Sequence, residues 1–328
     1  MNIEHPDGTE RNTPWLTVIM PAHRGERWIE ATLSSLADQA DDGIELLIID
    51  SSPDVATAQI ARRFSDRLSM QIQEHSPLQS WQSKTNHAAT LAKADHICWL
   101  HQDDLWLPGR AAAIRNWIRK APEAALHLAT SAIIDGAGRR LGLWRCPFKE
   151  EGEIEPALFV ERLLVQNFIA APAPVYRKDA WLACGGLDEE LWYTGDWDVW
   201  LKLAAQGPVH HHAQVTTAFR IHASSLTVTG SRNIDDFERQ MRIVLDRHLP
   251  RLAAADSSTA ARVERASTAS IKVNCALAAA WAGGWGGSLA AATSLLALGP
   301  ADLLRYMRDS RIVDRLVPRL RAKLTGSL

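Results

Sequence analysis

Through the first 120 residues, apolar runs of strand length alternate with stretches whose apolar positions repeat at helical spacing. Residues 15–20 predict a first strand, Ile29, Leu33 and Leu36 share one helical stripe, and residues 46–49 form a second apolar run with no polar interruption. Residues 70–73 predict a third strand and residues 80–93 a helix. A fourth strand follows over 96–100, then a helix bearing Ala112, Ile114, Trp117 and Ile118. Alternation at this spacing implies right-handed crossovers and a parallel sheet covered on both faces, an α/β doubly wound class.

The pattern then loosens. Gly185-Gly186 reads as a turn, and Thr194-Gly195-Asp196-Trp197-Asp198 leads into a helix carrying Val199, Trp200, Leu203 and Ala204. Beyond about Asn233 the chain turns helical and differently composed. Residues 235–249 read as a charged amphipathic helix ending before Pro250, and residues 269–298 are alanine-rich with a Gly-Gly-Trp-Gly-Gly break at 283–287. No charge lies between Lys272 and Asp302, enough length for a membrane span, yet alanine and four glycines dominate it. A packed helical hairpin is the reading. Arg305, Arg308, Arg311, Arg315, Arg319, Arg321 and Lys323 then alternate with Leu304, Ile312, Leu316 and Leu320. A helix docked on the main domain with a solvated face fits this tail; the same pattern suits peripheral contact with an anionic membrane.

A 46% hydrophobic content and a formal charge of −2 over 328 residues describe a globular chain with no electrostatic case for nucleic acid as partner. Cys98, Cys146, Cys184 and Cys275 are scattered without a C-x-x-C pair, which argues against a zinc ribbon or disulfide framework and fits a reducing cytosol. The polar first 14 residues contain no signal region. Cytoplasmic location, with the inner membrane face as an option, is the expectation.

The unusual polar residues fall at strand ends, where open α/β sheets bind ligands. Pro21-Ala22-His23-Arg24 follows the first strand, Asp50-Ser51-Ser52-Pro53-Asp54 closes the second, and His101-Gln102-Asp103-Asp104 follows the fourth, before Pro108 in the first helical position. Paired carboxylates in such a turn either cap the next helix or hold a divalent cation against phosphates. Neither G-x-G-x-x-G nor G-x-x-x-x-G-K is present, so a nucleotide would be held by side chains and a metal. Asp196 and Asp198, two apart, point to different sides of a helix, so one of them faces the strand ends. His210-His211-His212 cannot converge on one ligand in a strand and reads as strand-end surface. Trp200 reads as core, with Trp192 and Trp197 left between core and sugar stacking.

The runs L-T-V-I-M-P-A-H-R, I-I-D-S-S-P-D, K-T-N-H-A-A-T-L-A-K-A-D-H-I-C-W-L-H-Q-D-D and G-G-L-D-E-E-L-W-Y-T-G-D-W-D-V-W-L-K-L-A resemble, in order, the family 2 glycosyltransferases of GT-A fold. The resemblance covers about residues 15–229. It implies a Rossmann-like, mostly parallel sheet flanked by helices, with a helical C-terminal appendage. The division is a disordered lead-in (1–14), a GT-A domain (15–230, with a nucleotide-binding half at 15–120 and an acceptor half at 121–230) and a helical region (231–328). It implies a hexosyltransferase-type enzyme of bacterial-type polysaccharide or glycolipid synthesis, inverting, using a nucleotide diphosphate sugar, a UDP-sugar first, with Mn²⁺ or Mg²⁺ and a glycan or lipid-linked acceptor. Carried over, Pro21, Ala22, His23 and Asp50 line the nucleoside pocket, and Lys84, Asn86, Gln102 and Asp103 face the donor. Asp103 and His222 hold the metal, and Asp196 is the general base, its ionised form favoured at a helix N-terminus.

Three positions depart from the family pattern: His101 stands where the first metal-motif aspartate is expected, Thr85 where an arginine precedes Asn86, and Gly195 where a glutamate precedes the base. They keep a second class open, a degenerate nucleotide- or glycan-binding protein without transfer. Nucleotidyl transfer, a third class, lacks its glycine-rich loop here.

Overall fold

The structure is a computed structural model that describes residues 13–281, 283–284 and 287–324. All but the last two residues of the expected lead-in, and residues 285–286 of the glycine break, lie outside the described residues. The first half runs β1 (Leu16–Ala22), α1 (Ile29–Ala37), β2 (Ile44–Asp50), α2 (Ala56–Arg62), β3 (Ser69–Gln73), α3 (Trp81–Leu91), β4 (His96–Trp99), β5 (Leu105–Trp106) and α4 (Arg110–Lys120). Then follow β6 (Leu126–Ile134), β7 (Arg140–Trp144), β8 (Gly152–Ile154), α5 (Pro156–Val165), β9 (Val175–Arg177), α6 (Lys178–Ala183), α7 (Gly195–Leu203) and β10 (Val209–Arg220). The appendage is helical: α8 (Leu226–Gly230), α9 (Ile234–Ala255), α10 (Ser257–Trp281), α11 (Ser288–Leu296), α12 (Gly299–Ser310) and α13 (Ile312–Leu324).

One sheet organises the chain, in the order β3-β2-β1-β4-β9-β6-β10-β5, with β7 on β6 and β8 on β10. β1, β2 and β6 are buried along their whole length, as strands covered on both faces must be. β3, β2, β1, β4, β6 and β10 all run one way, whereas β9, β5, β7 and β8 are antiparallel to their neighbours. The sheet is thus mostly parallel, as the resemblance implied, with four reversed strands. The reversed strands are short, two to five residues each, and carry too little apolar periodicity to be read. Pro108 does not open α4 either. It follows β5, which pairs Trp106 and Leu105 with Thr217 and Ala218, and the helix starts two residues later after Gly109 at φ +82°. That left-handed turn favours glycine.

Two further expectations change. α9 continues through Pro250 to Ala255 because its apolar stripe does: Val244, Leu245 and Leu252 are all buried, and α10 packs along this helix. The histidine run is interior. His210 pairs with His127 in register, His127 is fully buried, and His212 stacks on Trp117 at 4.3 Å and 6° because α4 lies over that face of the sheet. His211 turns to the other face, its Nδ1 2.8 Å from the Glu150 carbonyl. α10 and α11 pack as the expected hairpin, no described helix is long and apolar enough to cross a membrane, and α13 docks on β7 with Pro318 against Gly142. Cys98 is core, and all four cysteines are free thiols.

Because all the parallel strands share a direction, the amino ends hold the histidines and the carboxyl ends gather Ala22, Asp50, Leu100, Ile134 and Arg220. Burial, followed by repulsion from neighbouring histidines, drives His127 down to about 2 and His212 down to about 3. Both rings stay neutral in the fold while the unfolded chain binds protons near 6.5. Their contribution is therefore intact above that value and is lost as pH falls toward the folded values. Denaturant unfolding at pH 7.5 and 5 will show His212→Phe, which keeps the stack on Trp117, losing on the order of 2 kcal/mol less than the wild type between the two pH values. Equal losses would disprove this.

Candidate active site

The turn after β4 is fixed by its two carboxylates in opposite ways. Asp104, 1% exposed, accepts at Oδ1 from the Arg220 backbone N–H at 2.9 Å, and the Arg220 Nε donates to the Asp103 carbonyl at 2.7 Å. Arg220 Nη1 also donates to the Asp135 carbonyl at 3.0 Å, with its guanidinium over Trp28 at 4.6 Å. One buried arginine thus ties together the ends of β4, β6 and β10. Asp104 caps no helix. Burial, then the like charge of Asp103, pushes its carboxyl well above the usual range.

Asp103 does face His222. The His222 Nε2 stands 2.9 Å from Asp103 Oδ2 across 119 residues of sequence, while Nδ1 lies 2.9 Å from Ser224 Oγ and the ring packs at a 34° tilt against Trp28, 5.4 Å between centroids. Burial alone would raise Asp103, but the bond from His222 holds it below the usual carboxylate value. With the Ser224 hydroxyl donating to Nδ1, the Nε2–H donates to Asp103 Oδ2, and the pair is satisfied as it stands. Among the described residues no group of three or more His, Cys, Asp or Glu is arranged to hold a metal ion, so a cation on Asp103 and His222 would need its remaining sites filled by phosphate oxygens. His101 is not part of that pair: its ring lies between Trp99 and Trp81, and burial lowers its pKa, leaving it neutral at pH 7.

Of the nucleoside-side expectations, Pro21 and Ala22 close β1, with Ala22 beside Asp50 in register. His23 is exposed, its Nδ1 3.1 Å from the Ser51 carbonyl. Asp50 is 1% exposed and accepts at Oδ1 from the Ser52 N–H (2.8 Å) and hydroxyl (2.6 Å), so one oxygen shapes its own turn. Lys84 is buried and donates to the Ala22 carbonyl at 2.7 Å; burial, opposed by the charge of Asp50, brings it down to about 8. It is a fixed strut at this end of the sheet, not a surface lysine. Two residues have other employment. Gln102 accepts from the His23 N–H and donates to the His23 carbonyl, each at 2.9 Å, clamping the β1 turn. Asn86 exchanges two 2.9 Å bonds with the Leu187 backbone, bracing the turn at Gly186, where φ is +62° and a Cβ would stand 2.5 Å from Asn86 Oδ1. Both amides thus also brace the backbone around the strand ends.

Asp196 opens α7. Its Oδ1 accepts from the Trp197 N–H at 2.7 Å and Oδ2 from Asn167 Nδ2 at 3.1 Å. The helix terminus does not win: burial raises Asp196 to about 6, against the two hydrogen bonds that lower it. Asp198 points elsewhere, fully buried, bonded by His248 (2.8 Å) and Arg247 (3.0 Å) of α9. Trp192 donates to Asp236, and Thr194 to the Gln240 carbonyl, so α9 holds the segment ahead of Asp196. Trp200, one turn after Asp196, is core and packs on Trp99 at 4.7 Å, which stacks on His101. Trp197 is core as well. Arg220, Asn167 and the α9 contacts were missed. Arg220 had a signal in its place two residues before His222, whereas Asn167 had none.

Residues 17–170 match the family model Glycosyl transferase family 2. An uncharacterized glycosyltransferase of Rickettsia typhi is 22% identical over 69% of this chain and 70% of its own length. The O-antigen biosynthesis glycosyltransferase WbnJ of Escherichia coli is 23% identical over 59% and 73%. Among solved structures, S. aureus TarS 1-349 in complex with UDP-GlcNAc superposes with a TM-score of 0.62 at 17% identity, over 78% of this chain and 72% of that one. The mannosyltransferase PcManGT from Pyrobaculum calidifontis, in complex with GDP-Man and Mn²⁺, gives 0.52 at 15%, over 92% and 87%. A longer TarS chain is spanned to 43% of its length. At these identities the solved structures share the fold, the GT-A arrangement.

The Asp196 carboxyl will titrate near 6 by ¹³C NMR, and Asn167→Ala, which removes a bond to the ionised form, will move the midpoint upward. A midpoint near 4 in the wild type would contradict the burial described above.

Proposed function

We propose that this chain, whose residues 17–170 form a family 2 glycosyltransferase domain, moves a sugar from a nucleoside diphosphate sugar to an acceptor hydroxyl in one inverting displacement. The observation that carries the reading is the Asp103–His222 contact at the carboxyl ends of β4 and β10, with a base-type carboxylate on α7. Asp103 and His222 would hold Mn²⁺ or Mg²⁺, which supplies charge neutralisation for the leaving diphosphate. Pro21, Ala22, His23 and Asp50 line the nucleoside side, with a UDP-sugar the first donor to try. Asp196, ionised above about 6, takes the acceptor proton as the hydroxyl attacks. The placement of a base with a pKa just below neutrality supports turnover at pH 7, because it is both ionised and basic enough to accept a proton. Asn167 orients it by holding one oxygen.

Polysaccharide or glycolipid synthesis in a bacterial cytoplasm is the setting we infer, with a glycan or lipid-linked acceptor. Peripheral membrane contact is supported by α13, which turns Val313, Leu320 and Leu324 outward beside the exposed Arg321 and Lys323. A binder without transfer is the second reading, favoured by His101, whose ring is packed between tryptophans where the family places a carboxylate.

Nucleotide sugars screened for nucleoside diphosphate release, with and without Mn²⁺, separate the two: transfer releases the diphosphate and a binder does not. Asp196→Asn will lower turnover roughly 10²- to 10⁴-fold while nucleotide affinity stays within about twofold; unchanged turnover would remove the base assignment. Flotation with anionic vesicles will be weakened by Leu320→Ser with Leu324→Ser, and equal flotation would remove the membrane contact.

A further inference from the structure

α5 ends at Val165, and Gln166 leaves it with extended backbone, φ −164° and ψ 136°. The carbonyls of a last helical turn have no partners within the helix and must find them elsewhere. Two of them do so on other helices. The Leu163 carbonyl accepts from the Trp197 indole of α7 at 2.8 Å, and the Leu164 carbonyl from the Ser267 hydroxyl of α10 at 2.9 Å. Ser267, Ser270 and Asn274 follow one another at three and four residues, which sets them on one face of α10. Ser267 and Ser270 are 0% and 1% exposed. Hydroxyls buried so deeply cost free energy unless they are hydrogen-bonded.

These are bonded, and to one stretch of chain. Gln166, itself buried, accepts at Oε1 from the Ser270 hydroxyl at 2.8 Å and from Asn274 Nδ2 at 2.7 Å. Asn274 Nδ2 also donates to the Ser270 carbonyl at 2.9 Å, so both of its protons are placed. Next along the chain stands Asn167. Its Oδ1 accepts from the Ile169 N–H at 3.0 Å, which leaves Nδ2 to donate to Asp196 Oδ2 at 3.1 Å. The other oxygen of Asp196 accepts from the N–H of Trp197, whose indole is held by the end of α5. Both oxygens of the carboxylate are thus met by groups anchored to that helix end, and α10 grips it from the other side.

We propose that Gln166, Ser270 and Asn274 are positioning residues for the reaction: the α10 pair fixes the Gln166 side chain, and with it the turn through Ile169, so that Asn167 keeps its amide on Asp196. The proposal rests on the transferase reading for its use of Asp196 as base. A donor held in place beforehand spares the site the cost of ordering it when the base must take a proton in one orientation. The helical C-terminal region enters the chemistry in this way without touching substrate.

Ser270→Ala/Asn274→Ala removes both donors to Gln166 and alters no residue that meets Asp196. The Asp196 midpoint read by ¹³C NMR will rise in this variant by roughly one pH unit, the worth of a lost donor to the ionised form. Asn274→Ala alone, milder because the site is half-buried, will give part of that rise. In an Asn167→Ala background the pair will add no further shift, because the contact through which it acts is gone. Val263→Ala, at a buried α10 position outside the network, will lower the melting temperature and leave the midpoint in place. A midpoint unmoved in the paired variant, an equal rise in Val263→Ala, or a shift that adds fully to that of Asn167→Ala would each overturn the proposal. Turnover of the paired variant, measured alongside, will fall about fivefold more at pH 6 than at pH 8, with the donor KM within about twofold of wild type. A moved midpoint without that pH dependence would instead remove Asp196 as the base and leave the positioning of its side chain standing.

Discussion

The buried union of Arg220 with the Asp103-Asp104 turn is the constraint on which the site depends. β10 enters the sheet at the far end, among the histidines, and reaches the carboxyl ends beside β6. There its last residue donates through backbone and side chain to the β4 turn and to the Asp135 carbonyl. His222 follows two residues later and so is delivered to Asp103 by strand register rather than by a flexible loop. Loss of the Arg220 side chain would leave the Asp103 and Asp135 carbonyls without their donor, remove the positive charge beside Asp104, and loosen three strand ends at once.

Three carboxylates near these ends have been sorted by environment. Asp103 is held low by His222, Asp104 is pushed high by burial beside Asp103, and Asp196 rises to about 6 because its hydrogen bonds do not offset burial. Identical side chains acquire this division, one low, one high and one near 6, only from their surroundings. The appended helices take part in it. α9 anchors the segment around Asp196 through Asp198, Trp192 and Thr194, and α13 packs on β7. The C-terminal helices are thus packed into the body that carries Asp196 rather than attached to it.

The alternation of apolar runs made β1 to β4 and their helices legible, because strands buried on both faces leave an uninterrupted apolar signature. The reversed strands could not be read, since a two-residue strand such as β5 has no periodicity and exists only through its pairing with β10. The placement of Asp103, His222 and Asp196 was legible through ordered motifs. The occupation of Asn86 and Gln102 by backbone bonds was not, for spacing does not say which partner an amide will choose. His210-His211-His212 misled because histidine is read as polar, whereas a neutral ring stacked on Trp117 behaves as core. The burial of Arg315 likewise had no sequence signal: its spacing suits a solvated face equally well.

The central claim is that Asp103 and His222 together hold a divalent cation against a donor diphosphate. Pulsed electron paramagnetic resonance of Mn²⁺ with the protein and a nucleoside diphosphate reads this directly. One imidazole ¹⁴N coupling together with ³¹P coupling is the expected spectrum, with the nitrogen coupling lost in His222→Ala. A spectrum without nitrogen coupling, or one unchanged by that substitution, would contradict the claim.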